Sequence, residues 1–225
     1  DGVQSCDSAT AVGGIRVDAW VSGDAGVTGH ALYFQVTDTA TDTVVLPATR
    51  KVTAATGALG VRVVILTTTA IVITRTNLVN ISAFTINLGT LAVSAVTNLR
   101  TDAIQVGVGG YGWDAHVIGS TFVIAYTATA TVFKLYSYNS SLAQQATGGI
   151  TGEASGELNV SLGGASGEVL YVLYRQGVAF PMPLMLAIAN PSTLALTVAP
   201  VTIETGAGGT DASSCSSSTS SERKP

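Results

Sequence analysis

One short apolar pattern recurs along this chain at nearly regular intervals, and it constrains the fold more than any other feature. The pattern is an aliphatic residue, then Arg, Gln or Asn, then valine, and successive valines lie 43 to 54 residues apart. These valines are Val17, Val63, Val106 and Val160. Internal repetition at this period is typical of proteins built from stacked four-stranded units. The sequence therefore predicts about four copies of one structural unit.

Two further markers recur in the same order within these copies. The first is an Asn-led turn, and the second is a Thr-Gly or Thr-Asp step that closes each copy. The turns span 87–91, 139–142 and 190–194, and the closing steps span 56–58, 101–103, 151–154 and 205–208. Asparagine suits the start of a tight turn because its side chain can bond the backbone two residues on. Three markers in phase indicate true repeats.

The third copy shows most clearly what each unit contains. Its apolar segments at 103–110, 120–127, 131–138 and 141–150 are rich in Val, Ile, Tyr, Phe and Thr. Such residues favour strands, and Gly, Asn and Ser separate the segments at hairpin distances. Each copy is therefore predicted to be one twisted antiparallel sheet of four strands, whose faces a neighbouring copy covers.

The predicted fold is all-β, a β-propeller-like array of four-stranded antiparallel blades. We expect an N-terminal extension at 1–13, blades at 14–58, 59–102, 103–154 and 155–207, and a Ser-rich tail at 208–225. Tandem β-sandwich modules are the alternative, but sandwich strands need not repeat in fours. Four blades lie at the lower limit for a closed ring. We therefore expect a fragment or processed piece of a larger ring, or a ring that another copy completes.

Composition narrows the classes of partner. Hydrophobic residues make up 47% of the chain and charged residues 11%, with a net charge of −4. No apolar run approaches the roughly 20 residues of a membrane helix, so no membrane span is predicted. No basic patch is present, so nucleic acid is not an expected partner. So few charges predict a surface covered by other subunits, including copies of this chain.

The sequence offers no local catalytic motif. His30 and His116 are the only histidines, and neither stands in a G-x-S-x-G elbow or near a cysteine motif. The glycine-rich segment 107–114 lacks the following helix that a phosphate loop needs. We therefore expect no catalytic residues, no cofactor, no metal site and no enzyme activity.

Two cysteines lie near the ends of the chain, at Cys6 and Cys215. Their spacing does not suit a metal. Two free thiols, a disulfide between the ends, and a disulfide to a neighbouring chain all stay open.

Aromatic and histidine side chains cluster at two predicted loops. One loop lies between the first two strands of the third copy, and the other, at 22–30, occupies the comparable place in the first copy. The candidate contacts for a protein partner or a glycan are Trp20, His30, Tyr111, Trp113 and His116. Amphipathic rings suit stacking on sugars or anchoring a partner. The alternative is that these rings cover the junction between blades.

The blade-like repeat over 14–207, its N-x-[GS] turns and its scarcity of lysine resemble the Ala/Thr/Gly-rich propeller segments in tail and other virion proteins of tailed bacteriophages. Trp113-Asp114 occurs once, so WD-repeat propellers are a poor match. The resemblance implies a non-enzymatic, tail-associated structural protein. It also implies other particle subunits as partners and location in a virion assembled in the host cytoplasm.

Two alternative functions stay open. One is a glycan-binding propeller that recognises a cell-surface receptor through its aromatic loops. The other is a propeller hydrolase whose carboxylates converge from different blades on the central channel. Such a site would carry no local sequence motif.

Overall fold

The computed structural model describes the chain as strands joined by turns. The described residues are 3–23, 30–53, 58–76, 80–102, 112–129, 132–151, 160–164, 169–175 and 183–205. They form four sheets of four consecutive antiparallel strands. The predicted all-β array of four-stranded blades is confirmed. No helix in these ranges is long and apolar enough to cross a membrane.

The blades follow the chain in order. Blade 1 contains β1 (Val3–Thr10), β2 (Ile15–Gly23), β3 (His30–Asp38) and β4 (Thr43–Val52). Blade 2 contains β5 (Ala58–Leu66), β6 (Thr69–Thr76), β7 (Asn80–Asn87) and β8 (Thr97–Arg100). Blade 3 contains β9 (Trp113–Ile118), β10 (Thr121–Thr129), β11 (Val132–Tyr138) and β12 (Gln144–Thr151). Blade 4 contains β13 (Val160–Gly163), β14 (Leu170–Arg175), β15 (Leu184–Ala189) and β16 (Leu196–Glu204).

Blade 1 begins earlier than the sequence pattern predicts. Strand β1 lies within residues 1–13, which we expected to form an extension, and it pairs with β2 over seven residue pairs. Val17 therefore lies on a second strand, whereas Val63 and Val160 lie on first strands. The reason is the composition of β1. Its side chains facing blade 2 include the oxygen acceptors of Ser5 and Asp7, so the strand lacks the apolar alternation that marks the others.

The turns between third and fourth strands follow one design. In blades 2, 3 and 4 an asparagine carboxamide oxygen accepts backbone N–H groups of the turn at 2.9–3.0 Å. Each of these turns ends at a leucine with positive φ, and the leucines are Leu91, Leu142 and Leu194. Blade 1 uses Asp38 in the asparagine's place, and its turn ends at Asp42 with φ of 51°. The turn marker therefore has a fourth copy with aspartate as its first residue.

The buried core lies between successive blades. One apolar cluster joins blades 1 and 2, a second joins blades 2 and 3, and a third joins blades 3 and 4. Aromatic pairs cross two of these junctions: Phe34 meets Phe84 with ring centroids 5.1 Å apart, and Phe133 meets Tyr174 at 5.6 Å. Burial of apolar faces is the main favourable term in such packing. Each blade therefore depends on its neighbour for a covered face.

A polar latch reinforces the junction of blades 2 and 3. Arg100 donates to Asp102 at 2.7 Å, and its guanidinium lies 3.9 Å from the centroid of the Tyr136 ring. Lys134 on β11 donates to the other carboxylate oxygen of Asp102. Burial favours a higher pKa for Asp102, but the hydrogen bonds from Lys134 and Arg100 outweigh it and hold that pKa below its ordinary value. The latch therefore ties β11 to the chain that follows β8.

Candidate functional site

Three charged side chains from three blades meet where the first strands lie side by side. Asp7 is on β1, Arg62 on β5 and Asp114 on β9. The first strands of neighbouring blades contact one another. Side chains on these strands can therefore lie close together, although 52 residues separate Arg62 from Asp114 in the sequence.

Arg62 and Asp114 form a charged pair at the centre of this cluster. The Nε of Arg62 donates to Oδ1 of Asp114 at 2.6 Å, and the Arg62 guanidinium lies 5.9 Å from the centroid of the Trp113 ring. The second carboxylate oxygen of Asp114 accepts the backbone N–H of Leu162 on β13 at 2.9 Å. The Asp114 side chain is 9% exposed, so its position is closely fixed.

Asp7 lies close enough to Arg62 and Asp114 to feel both charges, and its environment differs from that of Asp114. Its Oδ2 accepts the backbone N–H of Val63 at 2.8 Å. Burial raises the pKa of Asp7, and the charge of Asp114 adds to that rise, while the Val63 N–H and Arg62 oppose it. The net pKa lies above the ordinary aspartate value. The cluster therefore combines one carboxyl group that retains its proton more readily with a second carboxylate already paired to a cation.

The chemistry that this cluster can perform is proton transfer and charge stabilisation. Within the described ranges, no group of three or more His, Cys, Asp or Glu side chains is arranged to hold a metal ion. Paired carboxyl groups in unlike environments are the arrangement that general acid–base catalysis uses.

The structure separates the residues predicted to form aromatic loops. Trp113 begins β9 and is 3% exposed, with its indole against Gly60 at the junction of blades 2 and 3. His116 lies on β9 opposite Val123, and it is half-buried. Tyr111 lies outside the described residues. Trp113 therefore belongs to a strand and not to a loop, and its contact with Arg62 makes it a support for the charged cluster.

The other predicted residues lie on blade 1. Trp20 on β2 stacks with Tyr33 on β3, with centroids 5.9 Å apart and an interplanar angle of 13°. Both rings are half-buried, and they lie on the face of blade 1 turned away from blade 2. His30 begins β3 opposite Gly23. Cys6 is exposed with a free thiol, and Cys215 lies outside the described residues.

Sequence reasoning missed all three members of the charged cluster. Asp7 fell in the supposed extension because β1 has no apolar alternation. Arg62 belongs to the repeated aliphatic-Arg-Val pattern, and Asp114 follows the tryptophan that was read as a loop residue. The repeat could not have found them, because its pattern aligns Arg62 with Arg16 on the second strand of blade 1 and not with Asp7 or Asp114.

Comparison with known proteins places the fold in a recognised architecture. No protein-family model and no curated protein matches the chain. The catalytic domain of a GH62 α-L-arabinofuranosidase from Coprinopsis cinerea superposes with a TM-score of 0.52 at 9% identity, covering 88% of this chain and 67% of that one. The fold is a β-propeller.

Two further solved structures are similar at a lower level. A GH43 α-L-arabinofuranosidase from Clostridium thermocellum gives a TM-score of 0.49 at 7% identity, covering 88% of this chain and 72% of that chain. GH43B of the xyloglucan PUL of Bacteroides ovatus gives 0.48 at 10% identity, covering 88% and 41%. This chain therefore covers less than half of the length of the Bacteroides ovatus chain.

These comparisons correct two expectations. We expected a non-enzymatic structural component of a phage-like particle and no enzyme activity, whereas the fold is similar to the catalytic domain of an α-L-arabinofuranosidase. That expectation is wrong because it treated the lack of a local motif as a lack of catalytic groups. In a propeller, side chains from separate strands can converge without any local motif. No comparison tests the resemblance to phage virion proteins, the partner subunits or the location in a particle, and these stay predictions.

Proposed function

We propose that this chain is a glycan-active propeller that hydrolyses glycosidic bonds at the Asp7–Arg62–Asp114 cluster. One observation carries the proposal: Asp7 and Asp114 converge from blades 1 and 3 near Arg62, which pairs with Asp114 and whose charge also acts on Asp7. The likeness of the fold to the catalytic domain of an α-L-arabinofuranosidase supports it.

Glycoside hydrolysis commonly requires two carboxyl groups with unlike roles. Asp7, whose pKa is raised, donates its proton to the glycosidic oxygen as the bond to the anomeric carbon breaks. Asp114 accepts a proton from the water that attacks that carbon. Arg62 balances the charge of Asp114 in the resting site. The reaction consumes one water. At its end Asp7 is ionised and Asp114 is protonated, and proton exchange with solvent restores the starting state of both.

The test is turnover of a panel of aryl glycosides and arabinose-, xylose- and galactose-containing polysaccharides. Asp7→Asn and Asp114→Asn are expected to lower the rate by about 10²–10⁴-fold, the usual contribution of a positioned acid or base. Asp18→Asn is the matched control, because Asp18 is also an aspartate on blade 1 but pairs with Arg16 away from the cluster. Unchanged rates in both cluster variants, or no turnover by folded protein across the panel, contradict the proposal.

The pH dependence gives a second readout of the same site. Because the pKa of Asp7 is raised and its protonated form is the donor, activity is expected to fall as pH rises through that pKa. An Asp7→Asn protein cannot show this limb of the profile.

Glycan binding without hydrolysis is the second candidate function. The stacked pair of Trp20 and Tyr33 favours it, because neighbouring parallel rings on a sheet suit the apolar face of a sugar. Trp20→Ala is expected to reduce retention on immobilised glycans. Equal retention of the variant and the unaltered protein would argue against this surface.

A further inference from the structure

A second concave site lies between blades 1 and 2, apart from the residues of the charged cluster. It is a cleft of about 320 Å³, and Lys51, Thr76, Asn80, Ser82 and Asn98 contribute to its lining. Ligand pockets commonly measure about 300–1,000 Å³. The cleft therefore suits one small ring and not a long chain.

Lys51 supplies the only positive charge on the described lining. Its Nζ lies 5.5 Å from the centroid of the buried Phe84 ring, so the ammonium group lies near the junction of blades 1 and 2. Among the described residues, no carboxylate lies within 4.0 Å of that nitrogen. The cleft therefore holds one positive charge without an acidic partner from the described part of the protein.

A chain of hydroxyl groups orients the amide of Asn98. Ser82 donates to Oδ1 of Asn98 at 2.7 Å, and the Thr76 and Ser82 hydroxyls are 3.0 Å apart. A serine hydroxyl has a single proton, so Thr76 must be the donor in the second contact. The Asn98 carboxamide oxygen is then occupied from within the protein, and its two amide protons are left for a ligand. Asn80 adds a second carboxamide to the same lining.

We propose that this cleft is a binding subsite for a carboxylate-bearing sugar, a hexuronate. Lys51 pairs with the sugar carboxylate, and the carboxamides of Asn98 and Asn80 bond the ring hydroxyls. A lone ammonium beside neutral amides matches one carboxylate and several hydroxyls, whereas a phosphate site commonly gathers several cationic or backbone donors. The preference for a small polyhydroxylated carboxylate follows from the lining alone. The further inference that this sugar is part of a glycan substrate rests on the proposed function.

The test is titration calorimetry with galacturonate, galactose and inorganic phosphate as the probes. Galacturonate is expected to bind more tightly than either of the others. Lys51→Gln should weaken galacturonate binding about tenfold or more, because charge-assisted hydrogen bonds are the strong ones. Asn98→Ala should weaken galacturonate and leave any phosphate binding unchanged. Arg16→Gln is the matched control, since it removes one positive charge from the far face of blade 1.

Several results overturn the proposal. The proposal is overturned if galactose or phosphate binds as tightly as galacturonate. It is also overturned if Lys51→Gln and Arg16→Gln weaken galacturonate binding equally. Binding of galacturonate through Lys51 in a protein that hydrolyses no glycoside supports the subsite and rejects only the proposed activity. Hydrolysis that depends on Asp7 and Asp114 without any galacturonate binding rejects the subsite alone.

Discussion

Packing at the junction of blades 3 and 4 predicts a sharp response to adding one methyl group. Gly148 lies on β12 against the turn that ends at Leu194, and Leu194 is fully buried. A Cβ at position 148 would lie 2.2 Å from the Leu194 carbonyl oxygen and 2.8 Å from its Cβ. Non-bonded carbons rest at about 3.5–4.0 Å, so the two blades would have to separate locally by about 1 Å.

The expected cost of Gly148→Ala follows from that overlap. Overpacking a tight site costs about 1–3 kcal/mol, and the reduced freedom of the unfolded chain returns about 0.4–1 kcal/mol. A net loss of about 1–2 kcal/mol corresponds to a Tm lowered by about 2–8 °C in a chain of this size. Thermal unfolding followed by circular dichroism measures the shift.

Gly163 provides the matched control for this experiment. It lies on the first strand of blade 4, and a Cβ there would meet nothing within 4 Å. Gly163→Ala is therefore expected to leave Tm unchanged or raise it slightly. If Gly148→Ala and Gly163→Ala unfold at the same temperature as the unaltered protein, the close approach of β12 to the Leu194 turn is refuted.

Two further predictions concern the latch and the turns. Because the pKa of Asp102 is depressed in the folded protein, its contribution to stability is full above the unfolded value of about 3.9 and is lost as pH falls through the folded pKa. The stability advantage of the unaltered protein over Asp102→Asn should thus shrink from neutral pH toward pH 2 in urea titrations; a constant difference would contradict the latch. Asn87→Ala removes the acceptor for the N–H groups of Gly89 and Thr90, and is expected to cost about 1 kcal/mol in the same assay. An unchanged urea midpoint would show that water replaces the asparagine without loss.

Much of the fold could be predicted because its signals are local. An asparagine that bonds the next two or three backbone N–H groups makes a turn irrespective of the rest of the chain, and the turns at Asn87, Asn139 and Asn190 mark the same point in blades 2, 3 and 4. Strand β1 could not be predicted in this way. Its Ser5 and Asp7 bond β5, which lies more than 50 residues away, so its strand character depends on a partner that local patterns do not show.

The candidate site was harder to predict than the fold for the same reason. Arg62 and Asp114 become neighbours only when blades 2 and 3 pack, and Asp7 becomes one only when β1 is recognised as a strand. The prediction that Trp113 lies in a recognition loop was wrong for a different reason. Trp113 follows a glycine-rich segment typical of loops, but its side chain fills the space beside Gly60, where φ is +73°. Large rings near glycine serve packing as readily as recognition.

The carboxylates of Asp7 and Asp114 each accept a backbone N–H from the first strand of the following blade. Each carboxylate thus joins two adjacent blades through a hydrogen bond, in addition to any role it has toward a ligand. Losing either carboxylate would weaken the contact between two successive blades, and a ligand that drew the carboxylates away from Val63 and Leu162 would do the same while it stayed bound. Any ligand that competes for these oxygens would therefore bind at the expense of the attachment between successive blades.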